Sequence, residues 1–154
     1  MGLTLEFYIG NKERIEKAFR EVLLELLDDP NVIHKRADLS LHVDPSDLDL
    51  LSVEFAVRSG RETLQLRPFL TVLFDEVDRG LLLIDTAWVN YVAHVEEQSI
   101  DKIVRGWYDS MRKEHSEEDI PDPTQEAVDA VQDLVQLCKE AKKNNLNVLH
   151  GWFL

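Results

Sequence analysis

Residues 2–26, GLTLEFYIGNKERIEKAFREVLLEL, change hydrophobic period at Gly10, and that change decides the fold class. Leu3, Leu5, Phe7 and Ile9 alternate with Thr4, Glu6 and Tyr8, which is the period of a half-buried strand. Gly10 ends the run and Asn11 offers an N-cap. Ile15, Ala18, Phe19, Val22, Leu23 and Leu26 then recur at helical spacing until Asp28-Asp29-Pro30. A strand followed at once by an amphipathic helix buries one face of each in a shared layer, so an α/β layered domain is expected.

The same switching of period continues outward. Leu39, Leu41 and Val43 alternate within Asp38–Val43, which reads as a second strand after a loop holding His34, Lys35 and Arg36. Asp44-Pro45 is an N-cap with a proline at the first helical position. Ser46–Arg58 fits a helix through Leu48, Leu51 and Phe55, and a strand through Leu51, Val53, Phe55 and Val57; the Asp-Pro start selects the helix. Beyond Ser59-Gly60 and Arg61, the stripe Leu66, Phe69, Leu70, Leu73, Phe74 and Val77 predicts a helix to about Asp78, stopped by Gly80. Leu81–Ile84 is a continuous apolar run, as in a strand covered on both faces.

Helices are expected after the caps Asp85-Thr86, Ser99 and Asp122-Pro123-Thr124, the last carrying Ala127 to Ala141. Leu146–Phe153 reads as a final strand integral to the core, with Trp152 buried. Glu114–Asp122 holds five acids without periodicity and reads as an exposed, mobile loop. The expectation is one layered domain over residues 1–154 with about four strands and five or six helices. It is α/β in class, blurring to α+β because helices crowd the second half.

Composition restricts function by exclusion. The chain has 154 residues, 44% hydrophobic and 31% charged, enough for one ordinary core. Its apolar runs are far too short to span a bilayer and its start has no basic, apolar leader pattern, so no membrane contact is expected. The single cysteine, Cys138, lies in an apolar helical stripe and reads as a buried structural thiol; a cytoplasmic location follows as the default. Thirty acids against 17 Lys and Arg give a net charge of -13. The excess is even: residues 1–77 hold 15 acids and 9 bases, residues 78–154 hold 15 and 8. Such a field repels phosphate backbones, and the bases occur in pairs without forming a patch, so no nucleic-acid partner is expected.

No dinucleotide, P-loop, nucleophile-elbow, zincin or C-x-x-C pattern occurs, and no cofactor is implied. Five histidines, at positions 34, 42, 94, 115 and 150, never stand at i, i+4 from one another, so no metal site is expected. Asp85, Trp88, Tyr91 and His94 are spaced to share a helix face just after an apolar strand, where a cleft and a His/Asp acid–base pair can form. His42 and Asp44, at the end of the expected second strand, form a second candidate. Two functions follow. One is a non-catalytic binding or regulatory protein engaging a basic protein partner through its acidic surface. The other is a small enzyme with a cleft near Asp85, Tyr91 and His94.

Overall fold

The computed structural model describes residues 3–58 and 66–154, and it begins with the strand and helix that the change of period predicts. Strand β1 (Thr4–Gly10) leads into α1 (Lys12–Arg20), where the Asn11 side chain accepts a hydrogen bond from the Arg14 amide. Then follow β2 (Ile33–Asp38), α2 (Pro45–Arg58), β3 (Leu70–Asp75), β4 (Arg79–Ile84), α3 (Thr86–Ala93), α4 (Ile100–Glu114), α5 (Gln125–Asn144) and β5 (Val148–Phe153). Among the described residues this is a mixed α/β layered domain with five strands and five α-helices, one strand more than expected.

The strands form one sheet in the order β2-β1-β5-β4-β3, with every neighbouring pair antiparallel. The last strand in the chain is thus the central one: His150 of β5 stands opposite Phe7 of β1 on one side and Leu82 of β4 on the other. Leu5, Phe7 and Ile9 belong to the larger core with Trp88, Trp107 and the apolar stripe of α5. Tyr8, Leu81 and Leu149 belong to a smaller core with Ile15, Ala18 and Phe19 of α1. The helices α2–α5 therefore build one layer, while α1 covers the opposite face of the sheet. Cys138 is fully buried, and burial pushes its thiol pKa up. Among the described residues no helix is long and apolar enough to cross a membrane.

Tertiary pairing overturns several local expectations. The second strand is Ile33–Asp38, not Asp38–Val43: Ala37 and Arg36 stand opposite Phe7 and Tyr8. It is an edge strand with His34, Arg36 and Asp38 exposed, so its apolar signal is weak. Leu39 instead enters the larger core, and Leu41 and Val43 pack on its border, from an irregular segment in which His42 takes φ 59°. The stripe from Leu66 to Val77 is no helix. The part of that expected helix before residue 66 lies outside the described residues, Arg67–Phe69 is one 3₁₀ turn, and Leu70–Asp75 is a strand. Its spacing satisfies both periods, and pairing with β4 through the Glu76–Arg79 turn selects the strand.

The first helix stops at Arg20, well before Asp28, because the Leu23 amide bonds back to the Ala18 carbonyl (2.9 Å) and Val22 turns left-handed at φ 57°. Trp152 is only partly buried, since its indole lies across Gly80 near the end of the sheet. A Cβ at position 80 would come within 2.2 Å of the Trp152 Nε1. By contrast, Ser46–Arg58 lies within helix α2, as the Asp-Pro start requires.

Candidate acidic cleft

The site is built from the start of α2 and the end of α4. Asp44 Oδ1 accepts from the amides of Ser46 (2.8 Å) and Asp47 (3.2 Å), and Asp47 Oδ2 accepts from the Asp44 amide (2.9 Å). This reciprocal cap satisfies donors that helix geometry leaves without partners. From α4, Trp107 Nε1 donates to the Asp47 carbonyl (2.8 Å). His115, the C-cap residue of α4, holds its Nε2 2.8 Å from Asp47 Oδ1. Asp47, only 4% exposed, therefore joins the two helix ends.

Where these ends meet the chain opens into a cleft of about 850 Å³. Leu41, Val43, Met111 and Ile120 contribute apolar lining, and Asp44, Asp47, Glu118 and Asp119 contribute carboxylates. His42, His115 and Tyr108 complete its polar and aromatic surface. No lysine or arginine is among the described residues that line it. One wall is the acidic segment after α4, expected as an exposed, mobile loop, and its five acids are exposed. In the fold Ile120 packs on the larger core, and Arg112 donates to the carbonyls of Ile120 (3.3 Å) and Pro121 (2.9 Å) and to the Asp122 carboxylate (2.9 Å). The segment is docked.

Hydrogen bonding to Asp47 raises the pKa of His115 above the ordinary imidazole value; partial desolvation opposes this, and the charges of Asp47, Glu118 and Asp44 reinforce it. Asp44 moves the other way. Burial pushes its pKa up, but hydrogen bonds from the Ser46 hydroxyl and the Asp47 and Ser46 amides outweigh burial and hold it below the usual carboxylate value. One ligand atom each from Asp44, Asp47 and His115 lie within 4.8 Å of one another, a donor set suited to a divalent cation. Asp47 is already engaged through both oxygens, so a cation there would have to displace the His115 hydrogen bond.

The first sequence candidates fall elsewhere. Asp85 caps α3, with Oδ1 accepting from the Ala87 amide (2.7 Å), while His94 is the C-cap residue of the same helix. About 13 Å of helix axis separates them, so they form no acid–base pair. His94 Nδ1 lies 2.6 Å from the Asn90 carbonyl and its Nε2 lies 3.3 Å from Lys142 Nζ. Trp88 is core, stacked over Phe7 and donating to the Ser52 hydroxyl (3.2 Å), and Tyr91 is half-buried against the same core. His42 and Asp44 both line the cleft.

Comparison with protein-family models, curated proteins and solved structures finds no match to this chain. The functional reading therefore rests on the cleft. Sequence reasoning missed Asp47, His115, Glu118 and Asp119. The Asp44-x-x-Asp47 spacing is a capping-box signal that marks the first of them. His115 carries no local signal, because it reaches Asp47 across 68 positions.

Proposed function

We propose that this is a non-catalytic binding or regulatory protein that engages a basic protein partner through its acidic surface, with the cleft at the centre of the contact. The observation that carries this reading is a cavity of about 850 Å³ with four carboxylates and no lysine or arginine among the described residues of its lining. Its size falls in the range of roughly 300–1,000 Å³ typical of ligand-binding cavities. A net charge of -13 adds a long-range field that draws a cationic surface towards it.

Nona-arginine titrated into the protein by calorimetry tests the reading. Binding should weaken steeply as salt is raised from about 50 to about 150 mM, a range over which the screening length shortens substantially. The combined variant Asp44→Asn, Glu118→Gln, Asp119→Asn should lose about tenfold in affinity. Neutralising the exposed Glu13, Glu21 and Glu25 on and after α1 should cost much less. Equal losses from the two sets would leave the cleft with no special part and overturn the proposal.

The enzyme alternative is supported by one contact, the 2.8 Å approach of His115 Nε2 to Asp47 Oδ1 inside the cleft, an arrangement that can orient an imidazole as a base. Turnover of chromogenic ester, phosphate or glycoside substrates, lost in His115→Gln, is the result that would favour it over binding.

A further inference from the structure

We infer that Asp44, Asp47 and His115 form a binding site for one divalent cation of the zinc type, the ion taking the place of the hydrogen bond between His115 and Asp47. The site goes beyond the acidic-surface reading and does not depend on it.

Asp47 carries a buried charge with no permanent counterion. Its side chain is 6% exposed, and among the described residues no lysine or arginine pairs with it; its ion-pair partner is the imidazole of His115. By contrast, the enclosed carboxylates of Glu6 and Asp49 each face an arginine, Arg36 at 3.8 Å and Arg67 at 3.1 Å. Buried carboxylates are as a rule paired with a cation or bound to a metal. His115 is a second, separate sign. The reciprocal bonds of Asp44 and Asp47 complete the cap of α2 by themselves, and a helix cap needs no imidazole from another helix. Yet the end of α4 brings His115 Nε2 to 2.8 Å from Asp47 Oδ1.

The three donor atoms lie within 4.8 Å of one another. Zinc holds nitrogen and carboxylate donors at about 2.0–2.2 Å, which sets two of them roughly 3.4 Å apart at a tetrahedral angle. The His115–Asp47 pair therefore has to open by only about 0.6 Å. Asp47 is held for this: its Oδ2 accepts from the Asp44 amide and its carbonyl from Trp107 Nε1, outer contacts of the kind that orient metal ligands. Asp44 is exposed, and the capping bonds its carboxylate accepts all go to Oδ1, which leaves Oδ2 to turn toward the ion. One imidazole with two carboxylates suits zinc better than magnesium or calcium, which prefer oxygen donors alone. Three protein donors leave a coordination position to water from the cleft.

The test is calorimetric titration with zinc chloride of protein stripped by chelator and exchanged into chelator-free buffer. Salt at ~150 mM screens diffuse attraction of the ion to the acidic surface. Expected are one zinc ion per chain, no saturable binding of magnesium chloride at the same concentrations, and NMR shifts centred on residues 44–47 and the His115 ring. His115→Gln and Asp44→Asn, which leave the buried Asp47 in place, should each weaken zinc binding by at least about tenfold, since loss of even an outer contact of a metal site costs about 10–100-fold. His34→Gln removes an exposed imidazole that also pairs with a carboxylate, Glu140, and should leave the affinity unchanged. Zinc should raise the melting temperature of the wild type and not that of His115→Gln. Absence of saturable zinc binding, equal affinity in His115→Gln, equal binding of magnesium, or shifts centred on His34 and Glu140 would overturn the inference.

Discussion

Val22 occupies the left-handed region at φ 57° with its side chain 57% exposed, a combination in which a β-branched residue is strained and gains little packing. The position follows the C-cap of α1, where glycine is the usual choice. Val22→Gly should stabilise the protein by roughly 1 kcal/mol, the strain relieved being about 1–2 kcal/mol less the added chain entropy of glycine. A urea midpoint that falls instead of rising would contradict this. His150 makes a second residue-scale prediction. It is fully enclosed in the central strand and stacked on Phe7 at 4.5 Å. Burial pushes its pKa down to about 4, against a lesser upward pull from its hydrogen bond with the Glu6 carbonyl. The unfolded chain takes up this proton near pH 6.5 and the folded chain only near pH 4. Stability from the neutral ring is therefore complete above about 6.5 and is lost as pH falls through that window, by roughly 3 kcal/mol at pH 4. Urea denaturation of wild type and His150→Gln at pH 7 and pH 4.5 should show the smaller acid-induced loss in the variant. Parallel losses would remove His150 from the account.

Among the elements, β5 has the largest consequence. It separates the β1–β2 pair from the β4–β3 pair, so without it the sheet is two isolated ribbons, and two-stranded ribbons are marginal in water. Deleting residues 146–154 should abolish cooperative unfolding; a truncated chain that still melts sharply at a similar temperature would show that the helical layer holds the fold alone. The elements differ in how far local sequence specifies them. Helix α3 carries the cap its sequence predicts, Asp85 accepting from the Ala87 amide, whereas α5 starts two residues later than the Asp122-Pro123 signal places it, with Thr124 accepting from the Ala127 amide. The strand Leu70–Asp75 was hidden because its apolar residues satisfy two periods, and only the partner strand distinguishes them. The acidic segment keeps its carboxylates exposed, as its composition predicts, and what composition does not show is its docking by Arg112 of α4.

For the molecule as a whole, charge is the dominant physical property. Among the described residues the cleft lining gathers four of the carboxylates behind the overall charge of -13, and the cations Arg20 and Arg79 are spent over the Phe74 ring and on carbonyls of neighbouring elements. DNA and RNA should therefore show no mobility shift with micromolar protein at ~150 mM salt. Non-specific binding under such conditions has a dissociation constant of about 10⁻⁴ to 10⁻⁶ M even where basic surface is present. A shift with mixed-sequence nucleic acid would overturn this expectation and the acidic-surface proposal with it.

The amino-acid sequence by itself determined the layered mixture of strands and helices, the capped starts of α2 and α3, the apolar inner strand β4, the burial of Cys138 and the sign of the surface field. Each of these depends on composition or on neighbours within one or two turns of chain. Only the tertiary structure decided that β5 lies at the centre of the sheet, that Leu70–Asp75 pairs as a strand, and that Asp44, Asp47, His115 and Glu118 share one cleft. Those outcomes depend on pairings between residues as distant in the chain as Thr4 and Phe153, and local periodicity carries no information about partners at that distance.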